Sequence, residues 1–183
     1  MGAAITIEWR SFLLRPEPKT PDQAAFVKYT QSWLRAAEME PAASFQVWAT
    51  DNPQPSSSLP PHVATKAIEL VDPAKTATFH RRLLAAYFTE NRTISDWEVL
   101  YALAEEVGVA RDQLSTAVDE HRETLTETVI DEHNDAMAQG ITAGPTTVIA
   151  GVLPVPGAQD ADTLEALVNQ VIEHQRSQAT LQP

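Results

Sequence analysis

A chain of 183 residues, 43% of them hydrophobic, is long enough for one domain, or one domain with an insertion, around a working core. Its 13 Lys and Arg stand against 25 Asp and Glu, a net charge of −12 with no basic stretch, which argues against nucleic acid and anionic membrane surfaces as partners. The chain has no cysteine, so disulfide exchange lacks a sulfur nucleophile.

The first residues, Met1 to Ile7, have neither a basic start nor an apolar stretch long enough for secretion. No apolar run approaches the ~18–20 residues of a membrane span, and the expected address is cytoplasmic. Ile5, Ile7 and Trp9 alternate with Thr6, Glu8 and Arg10, the period of a strand with one buried face. Pro16, Pro18 and Pro21 then forbid regular structure, and Ala24 to Glu38 reads as a helix bearing Phe26, Val27, Tyr29, Trp33 and Leu34. From Asn52 to Pro61, prolines and serines make an extended connection.

A helical lobe is expected from His62 to Gly140. Helices cover His62 to Leu70 and Ala74 to Phe88, and Ser95-Asp96-Trp97-Glu98 reads as a capping box opening a third. That helix carries Trp97, Leu100, Leu103, Ala104 and Val107 inward and stops at Gly108. Asp112 to Gln139 follows as one or two helices with Leu114, Val118, Leu125 and Val129 as the apolar stripe. Beyond Pro145, strands Thr146 to Ala150 and Val152 to Val155 form a hairpin about Gly151. Asp162-x-x-Glu165 then caps a last helix with Leu164, Leu167, Val168, Val171 and Ile172 at helical spacing.

Asp119-Glu120-His121 and Asp131-Glu132-His133 suggest metal ligation, but a 12-residue step along a helix turns by about 120° and rises about 18 Å. They cannot share one ion through that helix; a solvated charged face is expected, and no metal or other cofactor. His62 and His80 read as ordinary surface or interface histidines. Asn91-Arg92-Thr93 is a formal glycosylation sequon, without meaning in a cytosolic chain. Ser56-Ser57-Ser58 lacks the geometry of a nucleophile elbow, and no phosphate-binding glycine loop occurs.

The most informative stretch runs from Gln139 to Gly151, with Pro156-Gly157-Ala158-Gln159 after it. A helix tail ends at glycine, a short turn meets Pro145, and β-branched residues follow. Two readings stay open on these residues: a trans-proline opening a strand, or a cis-proline, which lies only about 0.5–1 kcal/mol above trans and turns the neighbouring carbonyl and amide toward an extended ligand.

Five segments in order carry a resemblance: Trp9-Arg10-Ser11-Phe12-Leu13-Leu14-Arg15-Pro16, Ser57 to Ala67, Ala86 to Asp96, the Pro145 strand, and Gly157-Ala158-Gln159. The chain resembles the DsbA-like thioredoxin family, and more narrowly its FrnE-type and 2-hydroxychromene-2-carboxylate isomerase-like branch, from about Ile5 to the last helix. The resemblance implies an α/β fold, a thioredoxin-like mixed sheet with a helical insertion. The first core strand and active-site helix would be absent. It implies an interrupted thioredoxin-like part, 1–61 and 141–183, around a helical insertion, 62–140. It also implies a cis Pro145 and a substrate-binding loop of Ala143, Gly144, Pro145 and Thr146, although Gly144 departs from the bulkier residue expected there.

The family's Cys-x-x-Cys turn, or the serine of its isomerase-like members, has no counterpart here, so no catalytic residue carries over. An interior strand would be missing between Ile5–Trp9 and the Pro145 strand. The true start could lie upstream, another chain could donate the strand, or the two flanking strands could pair directly; an incomplete amino terminus is the expectation. Two functions follow: a thiol–disulfide oxidoreductase by lineage, inactive in dithiol chemistry as this chain, or a binding module whose proline loop holds a peptide or small ligand. Expected partners are an extended peptide or small thiol-bearing ligand, and a second copy through the unpaired Ile5–Trp9 edge.

Overall fold

The computed structural model describes residues 5–19, 22–39 and 43–181. They fall into two compact units, Met1–Glu132 and His133–Pro183. Among the described residues no helix is long and apolar enough to cross a membrane.

The first unit begins with the segment expected to be a strand. Ile5 to Arg10 forms none, and Ile5, Ile7 and Trp9 remain 47%, 72% and 52% exposed. Alternation marks which side chains would share a face, but a strand also needs a neighbour to receive its amides and carbonyls, and none lies alongside among the described residues. The segment becomes buried first at Ser11 and then at Leu13.

Two helices, α1 (Gln23–Thr30) and α2 (Trp33–Met39), replace the single one expected. Asp22 caps α1 by accepting the Ala25 N–H at 3.0 Å. Phe26, Trp33 and Trp48 are buried together, with Phe45, Tyr87 and Phe88 packed against them edge to face. The buried Thr30 hydroxyl accepts the Trp48 N–H at 3.1 Å, and the Trp48 indole donates to the Asn52 carbonyl at 2.9 Å. Burial pushes the Tyr87 phenol up to about 12.

Helix α3 (Leu59–Val71) starts earlier than expected because Pro60 and Pro61 sit in its first turn, where a missing N–H costs nothing. A 3₁₀ turn at Pro73–Lys75 leads into α4 (Thr76–Phe88). The cap of α5 (Trp97–Glu106) is Asp96, which accepts the Glu98 N–H at 3.0 Å, and not Ser95. Ser95 is occupied elsewhere: its hydroxyl accepts the Ser56 N–H at 3.1 Å. Gly108, at φ +87°, ends α5, a conformation a side chain would strain. The last long helix of the lobe, α6 (Arg111–Ala138), is continuous. Val63, Ala67, Ile68, Phe79, Leu83, Leu100, Leu103, Leu114, Val118 and Val129 from these four helices form one core, which Leu13 joins.

In the second unit β1 (Thr146–Ile149) and β2 (Leu153–Pro156) form an antiparallel hairpin, with Thr146 opposite Pro156 and Ile149 opposite Leu153. This pair is the whole sheet among the described residues, smaller than the mixed sheet expected. Helix α7 (Ala161–Leu181) packs on β1. Its cap is Asp160, which accepts the Thr163 N–H and hydroxyl at 2.8 Å each, and not Asp162.

Candidate functional site

Each of the signature segments has a visible job. Ser58 and Arg15 tie the first to the second: the Arg15 N–H donates to the Ser58 hydroxyl at 3.0 Å, and the Ser58 N–H donates to the Arg15 carbonyl at 2.9 Å. The Arg15 guanidinium donates to Gln54 Oε1 and the Pro55 carbonyl at 3.1 Å each. In the third, Asn91 sits in the left-handed region at φ +53° and is buried. Its side-chain oxygen accepts the Ala49 N–H at 2.9 Å, and the Asn52 amide reaches its carbonyl at 2.9 Å. Asn91 is thus a structural residue.

The Pro145 loop is exposed from Thr142 to Pro145, with Thr146 half-buried. The Gly144–Pro145 peptide is cis. The Thr146 hydroxyl donates to the Ala143 carbonyl at 2.8 Å, and the Gly157 N–H donates to the Pro145 carbonyl at 2.8 Å. Gln159 closes the turn by donating to the Pro156 carbonyl at 3.0 Å. The Gly144 N–H and carbonyl are left without a partner among the described residues. All four predicted loop residues therefore lie together, in an uncharged surface turn in which the Gly144 N–H and carbonyl are open.

A second polar cluster, in the first unit, escaped the sequence reading. The Lys66 ammonium donates to Glu132 Oε1 at 2.6 Å, with 13% of each side chain exposed. The other carboxylate oxygen accepts the Ser11 N–H at 2.7 Å. Glu132 is therefore not on a solvated face. Burial works to raise its carboxyl, but Lys66 and Ser11 outweigh burial and hold it below the usual carboxylate range.

Largely buried beside them, His62 hydrogen-bonds the Phe12 backbone. Burial first, then the neighbouring His80 and Lys66, lower its pKa to about 4, so the imidazole stays neutral through most of the acid range. His80 is lowered as well, by burial and then by Arg81, and its ring lies 4.4 Å from that of Trp9. Of the surface or interface settings expected for these two histidines, both occupy an interface, against the Trp9-to-Leu13 segment. The cluster clamps the Trp9-to-Leu13 segment onto α3 and α6, and no group of three metal ligands assembles among the described residues. Only the i, i+4 spacing of His62 and Lys66 could have signalled it, since Glu132 lies 66 residues from Lys66.

Comparison with known proteins settles the lineage. The family profile of the DSBA-like thioredoxin domain matches residues 2–169. The chain belongs to the DSBA-like thioredoxin domain family. Within its wider kin, the uncharacterized protein YwbO of Bacillus subtilis is 28% identical over 178 residues, 92% of this chain and 83% of that protein. Among solved structures, a proposed protein disulfide isomerase from Nitrosomonas europaea superposes with a TM-score of 0.71 at 13% identity, covering 86% of this chain and 78% of that one. The cytosolic disulfide reductase DsbM from Pseudomonas aeruginosa, with GSH, superposes with a TM-score of 0.68 at 18% identity, covering 97% and 86%. These two likenesses show the DsbA-like fold, which this member fills mostly with helix.

Proposed function

We propose that this is a cytoplasmic, FrnE-type member of the DsbA-like family whose lineage role is thiol–disulfide exchange, and that the 183-residue chain performs no exchange by itself. One observation carries the second half: the chain contains no cysteine. Exchange proceeds by attack of a thiolate on a disulfide sulfur, giving a mixed disulfide and expelling the other sulfur as thiolate. No residue here can attack or be attacked. The cytoplasmic setting draws support from DsbM, a cytosolic disulfide reductase of the same fold.

Ala143, Gly144, Pro145 and Thr146 are, on this reading, the surface that faces a thiol-bearing or extended peptide substrate. Their exposure and the open Gly144 N–H and carbonyl favour it, because an extended peptide docks first through main-chain hydrogen bonds. Two measurements test the proposal. In an insulin-reduction assay with glutathione, the pure chain should leave the rate at the protein-free value; turnover above it overturns the first claim. In an NMR titration with reduced glutathione or a cysteine-containing peptide, the largest shifts should fall on Gly144 and Thr146. Shifts confined to the first unit would reassign the site.

A further inference from the structure

A shallow groove of about 430 Å³ opens within the first unit, where the last turn of α3 meets the first half of α6. Leu70, Val71 and Ala117 supply its apolar lining, and Leu70 is 54% exposed there. Two carboxylates line it as well, Asp112 and Glu120, with the His121 ring nitrogen 4.0 Å from Glu120. Neither carboxylate meets a lysine or arginine among the described residues. Elsewhere on the lobe Glu90, Glu98, Glu106 and Glu132 each hold one.

Two further features make this part of the surface negative. A helix C-terminus carries about half a negative charge, yet the last turn of α3 holds Glu69 and no basic residue. Lys66 reaches Glu69 at 3.5 Å but is held closer by Glu132, at 2.6 Å. Beyond Glu120, the exposed Glu123, Glu127 and Asp131 continue along α6, again with no lysine or arginine partner among the described residues. Glu123, Glu127 and Asp131 stand four residues apart in turn, a spacing at which like charges repel.

We infer that the groove and the α6 face beyond it dock a basic amphipathic segment of a partner protein. An apolar side chain of that segment sits against Leu70 and Ala117, and its lysines and arginines follow Glu120, Glu123, Glu127 and Asp131. Charge complementarity selects this occupant. A purely apolar partner would strip water from Asp112 and Glu120 and give nothing back. A second copy of this chain, with a net charge of −12 and no basic stretch, would add repulsion. The rise from Glu120 to Asp131 is about 16 Å, which about five extended residues span and a single cationic side chain does not.

The probe is a fluorescein-labelled peptide, acetyl-Leu-Leu-Arg-Lys-Arg-Lys-Arg amide, titrated with the full chain and read by fluorescence anisotropy. It should bind, and more weakly as salt is added. Glu120→Lys and Leu70→Ser should each weaken binding about tenfold or more with an unchanged circular dichroism spectrum. Glu38→Lys, which changes the net charge as much as Glu120→Lys but lies on α2 and outside the groove, should change it less than about twofold. Absence of binding would overturn the proposal, and so would equal weakening by Glu38→Lys, which would reduce the attraction to bulk charge. A peptide with serine in place of both leucines that binds as tightly would remove the groove from it, and spermine binding as tightly as the peptide would replace the protein segment with a small polycation.

Discussion

In Met1–Glu132 the side chains of Ile68, Phe79, Leu100, Leu103 and Leu114 have lost all contact with water, whereas in His133–Pro183 the best-covered apolar residues, Ile149 and Val155, each keep 8% of their surface. The difference is one of geometry. Four helices can cover one another on every inward face, but a two-stranded ribbon has two faces and α7 lies on one, leaving Val148 and Val152 on the surface. Leu164, Leu167, Val168, Val171 and Ile172 accordingly remain only half-buried. Stability and surface chemistry are thus divided between the units: the first supplies the packed core, the second the free backbone.

The sharpest way to break that comparison is to remove apolar volume from each side. Phe79→Ala should cost about 3–5 kcal/mol and Val155→Ala about 1–2 kcal/mol. All four tryptophans, Trp9, Trp33, Trp48 and Trp97, lie in the first unit, so tryptophan fluorescence in a urea titration isolates its transition. Phe79→Ala should move that midpoint strongly and Val155→Ala barely. Equal displacement by the two would mean that both units unfold as one body.

Acid should separate the units next. His62 is held at about 4 in the folded chain against 6.5 when unfolded, so between those pH values the unfolded state binds more protons and stability falls as pH falls. His80, lowered in the same direction, adds to the loss, and Glu132, held below its usual range, extends it under the carboxylate range. The stability attributable to His62 is fully present above pH 6.5, is gone by about pH 4, and amounts to roughly 3 kcal/mol. Urea titrations of the tryptophan signal from pH 7 to 4 should show this decline, and His62→Asn should flatten much of it. An unchanged slope in that variant would remove His62 as the cause.

The same contrast explains what could be read from the sequence. Helical periodicity found the elements that build the first core, because Leu100, Leu103, Leu114 and Val118 are apolar for the packing that buries them. The hairpin was legible from Pro145, Gly151 and the β-branched residues between them, which act locally. Ile5–Trp9 misled because alternation is a property of one strand, while a ladder belongs to two. The caps were misplaced by one residue at Asp96 and two at Asp160, where competing side chains lie close together and only the surrounding contacts decide. The Lys66–Glu132 clamp was invisible because the pairing exists only after α3 and α6 have met, and a carboxylate in an acidic run carries no mark of its partner.

The smallest expected effect tests the caps themselves. Asp160 and Asp96 do the same job, each accepting an amide in the first turn of its helix, but α5 is held down by Leu100, Leu103 and Ala104 while α7 rests on a half-buried stripe. A helix fixed by packing loses little when its cap goes; one fixed weakly frays from the uncapped end. Asp160→Ala should therefore speed amide exchange at Thr163 several-fold and carry that loss into the next turn, whereas Asp96→Ala should expose the Glu98 amide alone. If both variants lose protection over the same number of residues, packing on α7 is as firm as on α5, and the contrast between the two units rests on their sheets and not on their helices.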